Sequence, residues 1–162
     1  MKGVRLAAIF LASALILVAC AQPPSETTST ETLPDGTRIA TVAGWGAEFS
    51  LEMTSTSVVY GDGLPTRITL RNTSDEPLDM DDHMIRVYFD KAEGGPSFGG
   101  TGYGDAYGSP KRPLHLRSGE TTTLDFWASS DWGDPNADPP REVFVRASFQ
   151  KMFTPYIRVE IE

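Results

Sequence analysis

The chain has one cysteine and two histidines among its 162 residues, and 14 Lys and Arg against 22 Asp and Glu. Each scarcity closes off a class of function. A single thiol cannot form an intrachain disulfide or a zinc–cysteine site, so a folded domain here must rest on packing alone. Two histidines, His83 and His115, give little material for a histidine-based centre, and nothing in their surroundings marks either as a general base. A formal charge of −8 argues against nucleic acid, because phosphate backbones are bound by clustered Lys and Arg. After the first 19 residues, no segment keeps helical spacing for three turns. What remains is short strands, turns and loops.

The N-terminus has the three parts of a secretory signal: Lys2 and Arg5, an apolar centre from Leu6 to Val18, and the small residue Ala19. About 13 apolar residues are too few for the ~20 that cross a bilayer as a helix, so residues 1–19 are expected to be a cleaved signal peptide. Leu17-Val18-Ala19-Cys20 resembles the lipobox of bacterial lipoproteins. The resemblance implies that Cys20 carries lipid and anchors the protein to a membrane of the cell envelope. Ala21, where Asp would favour inner-membrane retention, implies the outer membrane in a two-membrane organism and the outer face of the cell membrane otherwise. Two or three acyl chains hold a protein at a bilayer nearly irreversibly. Loss of Lys2 and Arg5 takes the charge to −10, which argues against the domain lying flat on anionic lipid.

Residues 20–44, rich in Ser, Thr, Pro and Glu, are expected to form a flexible tether, since so little apolar surface cannot offset ordering entropy. From Trp45 the pattern becomes period-two. Ile68 and Leu70, Ile85 to Phe89, Thr122 to Phe126, Val143 to Phe149, and Ile157 to Ile161 each alternate with polar residues, the pattern of half-buried antiparallel strands. An opening strand at 47–54 and a short one at 113–117 bring the set to 47–54, 66–72, 84–90, 113–117, 121–127, 142–150 and 156–162. About seven strands in residues 45–162 predict an all-β, immunoglobulin-like antiparallel β-sandwich without a disulfide. Ile68, Leu70, Val87, Phe89, Leu124, Phe126, Val145 and Val159 are its expected core. Thr66 to Asn72 followed by Glu76-Pro77-Leu78, with Leu116-Arg117-Ser118-Gly119-Glu120 further on, resembles the immunoglobulin-like domains related to the BsuPI intracellular proteinase inhibitors. That resemblance implies a sandwich and an inhibitor-like module.

Gly95-Pro96-Ser97-Phe98-Gly99 matches the G-x-S-x-G nucleophile elbow, but no helix follows, and Asp105 and His115 are too close in sequence to complete that fold's triad. Asp79, Asp81, Asp82 and His83, flanked by Met80 and Met84, form the densest group of ligand-type residues, of a chemistry that suits calcium or copper. On an extended strand, Asp79 and Asp81 point away from Asp82, so an exposed turn or edge strand is the simpler reading. Pro113 to Glu120, followed by Leu124 and Phe126, is similar to a segment of periplasmic copper chaperones, whose spaced His and Met ligands are not reproduced. Asp131 to Asp138 lacks the order of an EF-hand loop and reads as an acidic turn. Asn72-Thr73-Ser74 fits a glycosylation sequon and is expected to be a turn.

Two long segments remain, 91–112 and 128–141. They hold Phe98, Tyr103, Tyr107 and Trp132, with Trp127 at the root of the second, and long loops in compact domains are usually functional or disordered. Glycines among aromatics expose rings to a peptide or sugar. Counting strand reversals places both loops at the end opposite the tether. The expected function is a lipid-anchored, non-catalytic envelope domain binding a protein, peptide or glycan through these rings. A proteinase inhibitor and a calcium- or copper-binding protein are the alternatives. No cofactor and no nucleic acid are expected, and a monomer is.

Overall fold

The computed structural model describes residues 25–59, 63–81, 84–95, 97–102, 113–128 and 140–162, with backbone alone for 97–102 and 126–128. These residues form strands and turns: β1 (Thr27–Thr32), β2 (Arg38–Gly44), β3 (Ala47–Met53), β4 (Ser57–Val58), β5 (Leu64–Asn72), β6 (Leu78–Asp81), β7 (Ile85–Asp90), β8 (Ser97–Gly102), β9 (Pro113–Leu116), β10 (Thr121–Ala128), β11 (Glu142–Phe149), β12 (Met152–Phe153) and β13 (Ile157–Ile161). One sheet has the order β1-β2-β3-β5-β10 and the second β4-β13-β11-β7-β8; β12 joins β11, and β6 pairs with β9. All pairings are antiparallel except β4 with β13. The chain is an all-β sandwich, and β3-β5-β10 facing β13-β11-β7 follows immunoglobulin-type order.

Alternation explains the layers. Along β5 every second residue is buried, and β3 follows the same rule. Ile68, Leu70, Val87, Phe89, Val145 and Val159 are fully buried and Leu124 nearly so; the side chain of Phe126 lies outside the described residues. Phe49 of the first sheet meets Phe149 of the second at 5.9 Å between ring centroids, so the two sheets share one core.

The sandwich begins earlier than the sequence suggests. β1 and β2 lie within residues read as tether, and the domain extends back to Thr27 rather than starting at Trp45. β2 is a core strand, with Ala40 and Val42 wholly buried; β1 pairs along its length with β2 but exposes all six side chains. Backbone pairing holds β1, which supplies no apolar pattern to read. The strand count rises accordingly. Within the segment read as a glycine-rich loop, β8 pairs with β7 and contains Phe98. Glycines there leave no alternation to see, yet they permit extended backbone.

β8 also changes the count of reversals. Gly102 stands opposite Arg86, which stands opposite Ser148 near the end of β11. The same end holds Thr27, paired with Ala43 beside the β2–β3 turn. Ala128 pairs with Leu64, and β11 begins at Glu142, both at the other end. The chain therefore leaves β8 at the N-terminal end of the sandwich, and the stretch between β10 and β11 departs and returns at the far end. Tyr103, Tyr107 and Trp132 lie outside the described residues, but the expected common origin of their loops fails because β8 adds one reversal.

Candidate functional site

Strands β7 and β11 bury Ile85, Val87, Phe89, Val143, Val145 and Ala147 and turn Tyr88, Asp90, Phe144 and Arg146 to the opposite face. On that outward face, the Arg146 guanidinium is 4.7 Å from the ring centroid of Phe153, 5.0 Å from Tyr156 and 5.8 Å from Tyr88. Such cation–π stacking is worth about 0.5–2 kcal/mol per contact, according to desolvation. Arg146 Nη2 lies 3.2 Å from Asp90 Oδ2. The Tyr156 hydroxyl donates to the same oxygen at 2.7 Å and accepts from the Gly94 amide at 3.0 Å. Phe144 closes the group edge-on against Tyr156, with centroids 6.2 Å apart.

Asp90 is fully buried although it belongs to the outward row of β7. Tyr156, brought from the approach to β13, covers it. Burial raises the Tyr156 phenol above its ordinary range, and its hydrogen bond to Asp90 adds to the rise, so it stays neutral and a donor. Asp90 Oδ1 and Arg146 Nε are buried without a hydrogen-bond partner. Carboxylate and guanidinium neutralise each other here, and the rings shield both. The chemistry available is recognition by an aromatic surface with a charge-paired arginine at its centre. The outward aromatics of 85–90 and 142–149 were the sequence signal, since such rows ordinarily carry small polar residues.

A second polar centre organises turns. Asn72 is fully buried; its Nδ2 donates to the carbonyls of Glu76 at 2.8 Å and Leu116 at 3.0 Å, and its Oδ1 accepts from the amide and hydroxyl of Ser74. Its backbone exchanges bonds with Glu120 and Gly119. The sequon is thus a turn, and the asparagine ties the 72–78 and 116–120 segments together. These are the residues on which the inhibitor-domain resemblance rests, and their role here is to join loops.

Of the acidic candidates, Asp79 and Asp81 share the outward face of β6. Asp79 faces His115 across the β6–β9 pair, Oδ1 to Nδ1 at 2.5 Å, with both side chains well exposed. Asp81 ends β6, while Asp82 and His83 lie outside the described residues. Among the described residues, no three His, Cys, Asp or Glu side chains converge as a metal site. Ser97 to Gly99 run into strand β8 rather than a helix, so the nucleophile-elbow geometry is not formed. Trp127 lies in β10 opposite Pro65 and Phe98 in β8 opposite the end of β7, on different sheets. Cys20 also lies outside the described residues. A shallow depression of about 170 Å³ between the β1–β2 hairpin and Tyr156 is smaller than the ~300–1,000 Å³ of ligand pockets.

No family model matches the chain, and no curated protein matches it. Among solved structures, the alkylpurine DNA glycosylase AlkC of Pseudomonas fluorescens, bound to DNA containing an abasic site analog, is 13% identical over 74% of this chain and 31% of its own, with a TM-score of 0.52. A mutant β-glucosidase from Listeria innocua, in complex with laminaribiose, is 18% identical over 74% of this chain and 16% of its own, at 0.49. A β-glucosidase from Erythrobacter marinus is 12% identical over 86% and 16%, at 0.48. This chain spans less than a third of each. The likeness to the glycosylase is one of fold alone.

Proposed function

We propose that this protein is a lipid-anchored, non-catalytic binding domain of the bacterial cell envelope. Cys20 holds it to the membrane, and the segment carrying Trp132, with Trp127 at its root in β10, contacts a protein, peptide or glycan. One observation carries the reading: β10 ends and β11 begins at the end of the sandwich remote from Thr27. The segment with Trp132 thus starts and finishes where an N-terminal anchor does not obstruct a partner. The arginine and aromatics on the outward face of β7 and β11 add surface suited to contact.

The test has two arms. Membrane fractionation with intact-mass analysis should find acyl chains on wild-type protein, and Cys20→Ser should release the domain to the soluble fraction. Thermal melting of the lipoprotein against defined peptidoglycan fragments, oligosaccharides and peptides should give a hit, since a ligand at 100 times its Kd stabilises by about 2.7 kcal/mol. Trp132→Ala should abolish that shift. A rise in Tm with calcium or copper alone would replace this reading with a metal-binding one. Nanomolar inhibition across a protease panel would replace it with an inhibitor.

A further inference from the structure

The two hairpin tips at the N-terminal end of the sandwich share an unusual backbone. In the β2–β3 turn, Trp45 and Gly46 have φ of 51° and 75°, the left-handed pair of a type I′ turn, a position that favours Asn before Gly. In the adjoining β11–β12 turn, Gln150 has φ of 54°, where a two-residue hairpin ordinarily places glycine. Among the described residues these are the two non-glycine positions with positive φ, and a bulky residue there is an outlier. They are neighbours: the Lys151 ammonium lies 6.0 Å from the Trp45 ring. Strain held at one end of a molecule, on side chains that its core does not use, points to a task for those side chains.

The same end gathers exposed apolar side chains. Trp45 is 47% exposed, Phe153 40% and Met84 48%; Met84 directly precedes Ile85, which stands opposite Phe149. Half-exposed tryptophan and phenylalanine beside a lysine are the combination that settles at a membrane–water interface, rings at headgroup depth and ammonium in water. The path of the chain ties this end to the N-terminal segment. The Trp45 indole donates to the Glu26 carboxylate at 3.0 Å, and Glu26 is six residues from Cys20. Six residues span about 20 Å when fully extended.

We propose that Trp45, Phe153, Met84 and Lys151 form a second, non-covalent membrane contact, which seats this end of the sandwich in the headgroup layer of the bilayer holding the Cys20 lipid. The proposal rests on the anchoring read above. Its partner is the lipid interface, engaged through apolar and aromatic side chains rather than by attraction of a net-negative domain to anionic headgroups. The turn residues then make sense together, since Trp45 at the tip of the β2–β3 turn offers the interface a half-exposed ring where asparagine would offer none.

The full lipoprotein, reconstituted in phosphatidylcholine vesicles, provides the test. With Cys20 blocked by lipid, Phe153→Cys accepts a polarity-sensitive dye, and Pro34→Cys in the β1–β2 turn does so at the far end. The dye at 153 should shift blue and lose iodide quenching on reconstitution, whereas the dye at 34 should do neither. Trp45→Asn should raise Tm, by completing an Asn-Gly turn, while restoring iodide access to the dye at 153. Acylated protein whose 153 dye remains water-exposed overturns the membrane contact and leaves the anchor standing. A 34 dye that shifts instead overturns it as well, by reversing the orientation. Protein without acyl mass overturns the anchor and, with it, the contact.

Discussion

Arg146 and Asp90 form an ion pair with one partner sealed from water and the other not. The Asp90 side chain is completely buried, while Arg146 keeps 24% exposure. Removing either partner strands the other, but water can still reach the stranded arginine and not the stranded carboxylate. Arg146→Met should therefore destabilise the domain by about 3–5 kcal/mol. The near-isosteric Asp90→Asn should cost less, about 1–3 kcal/mol. Urea denaturation of both variants checks the order, and equal losses would mean that the difference in burial between the two partners does not set the cost. Tyr156 supplies a pH signature at the same place. Its neutral form is favoured in the fold, so its contribution is complete below the unfolded value of about 10 and is lost as pH rises through the folded one. Urea midpoints measured from neutral pH to about pH 11 should fall more steeply for wild type than for Tyr156→Phe.

Among the elements, β2 carries a prediction that its composition hides. Val42 is fully buried, so Val42→Ala should cost about 2 kcal/mol through lost transfer energy and a residual cavity. Thr30→Ala, on the wholly exposed β1, should change stability by no more than about 0.5 kcal/mol. Denaturant curves of the two variants test whether the sheet includes the segment that reads as tether. The legible strands β3, β5, β7, β11 and β13 alternate buried and outward residues with large apolar side chains in the buried row, as does β10 at Leu124, and burial of that kind writes period two into a sequence. β1 and β8 have no such pattern, because threonines facing water and glycines satisfy only the backbone. β2 buries Ala40 and Val42 among small residues and reads weakly for the same reason. The candidate site was half legible. Tyr88, Phe144 and Arg146 stand on visible outward rows, but the burial of Asp90 depends on Tyr156, 66 residues away. No local pattern announces a lid of that separation.

At the scale of the whole molecule, the order in which strands come together differs from the order in which they occur along the chain. β13 lies between β11 and β4, pairing Glu160 with Ser57 and Ile161 with Val58. β10 likewise completes the edge of a sheet whose other members precede it by about 50 residues or more. Among the described residues, β1, β2 and β3 form a ladder of consecutive hairpins, and β7–β8 and β11–β12 add single ones. Topologies dominated by distant pairings fold slowly, in milliseconds to seconds, because loops must close before contacts reward them. A chain threaded N-terminus first through a secretion pore would have its second sheet open at β4 and β11 until residues 157–161 emerged. On the export route proposed above, that late closure would keep the chain loose enough to pass and leave the domain to be completed on the far side of the membrane.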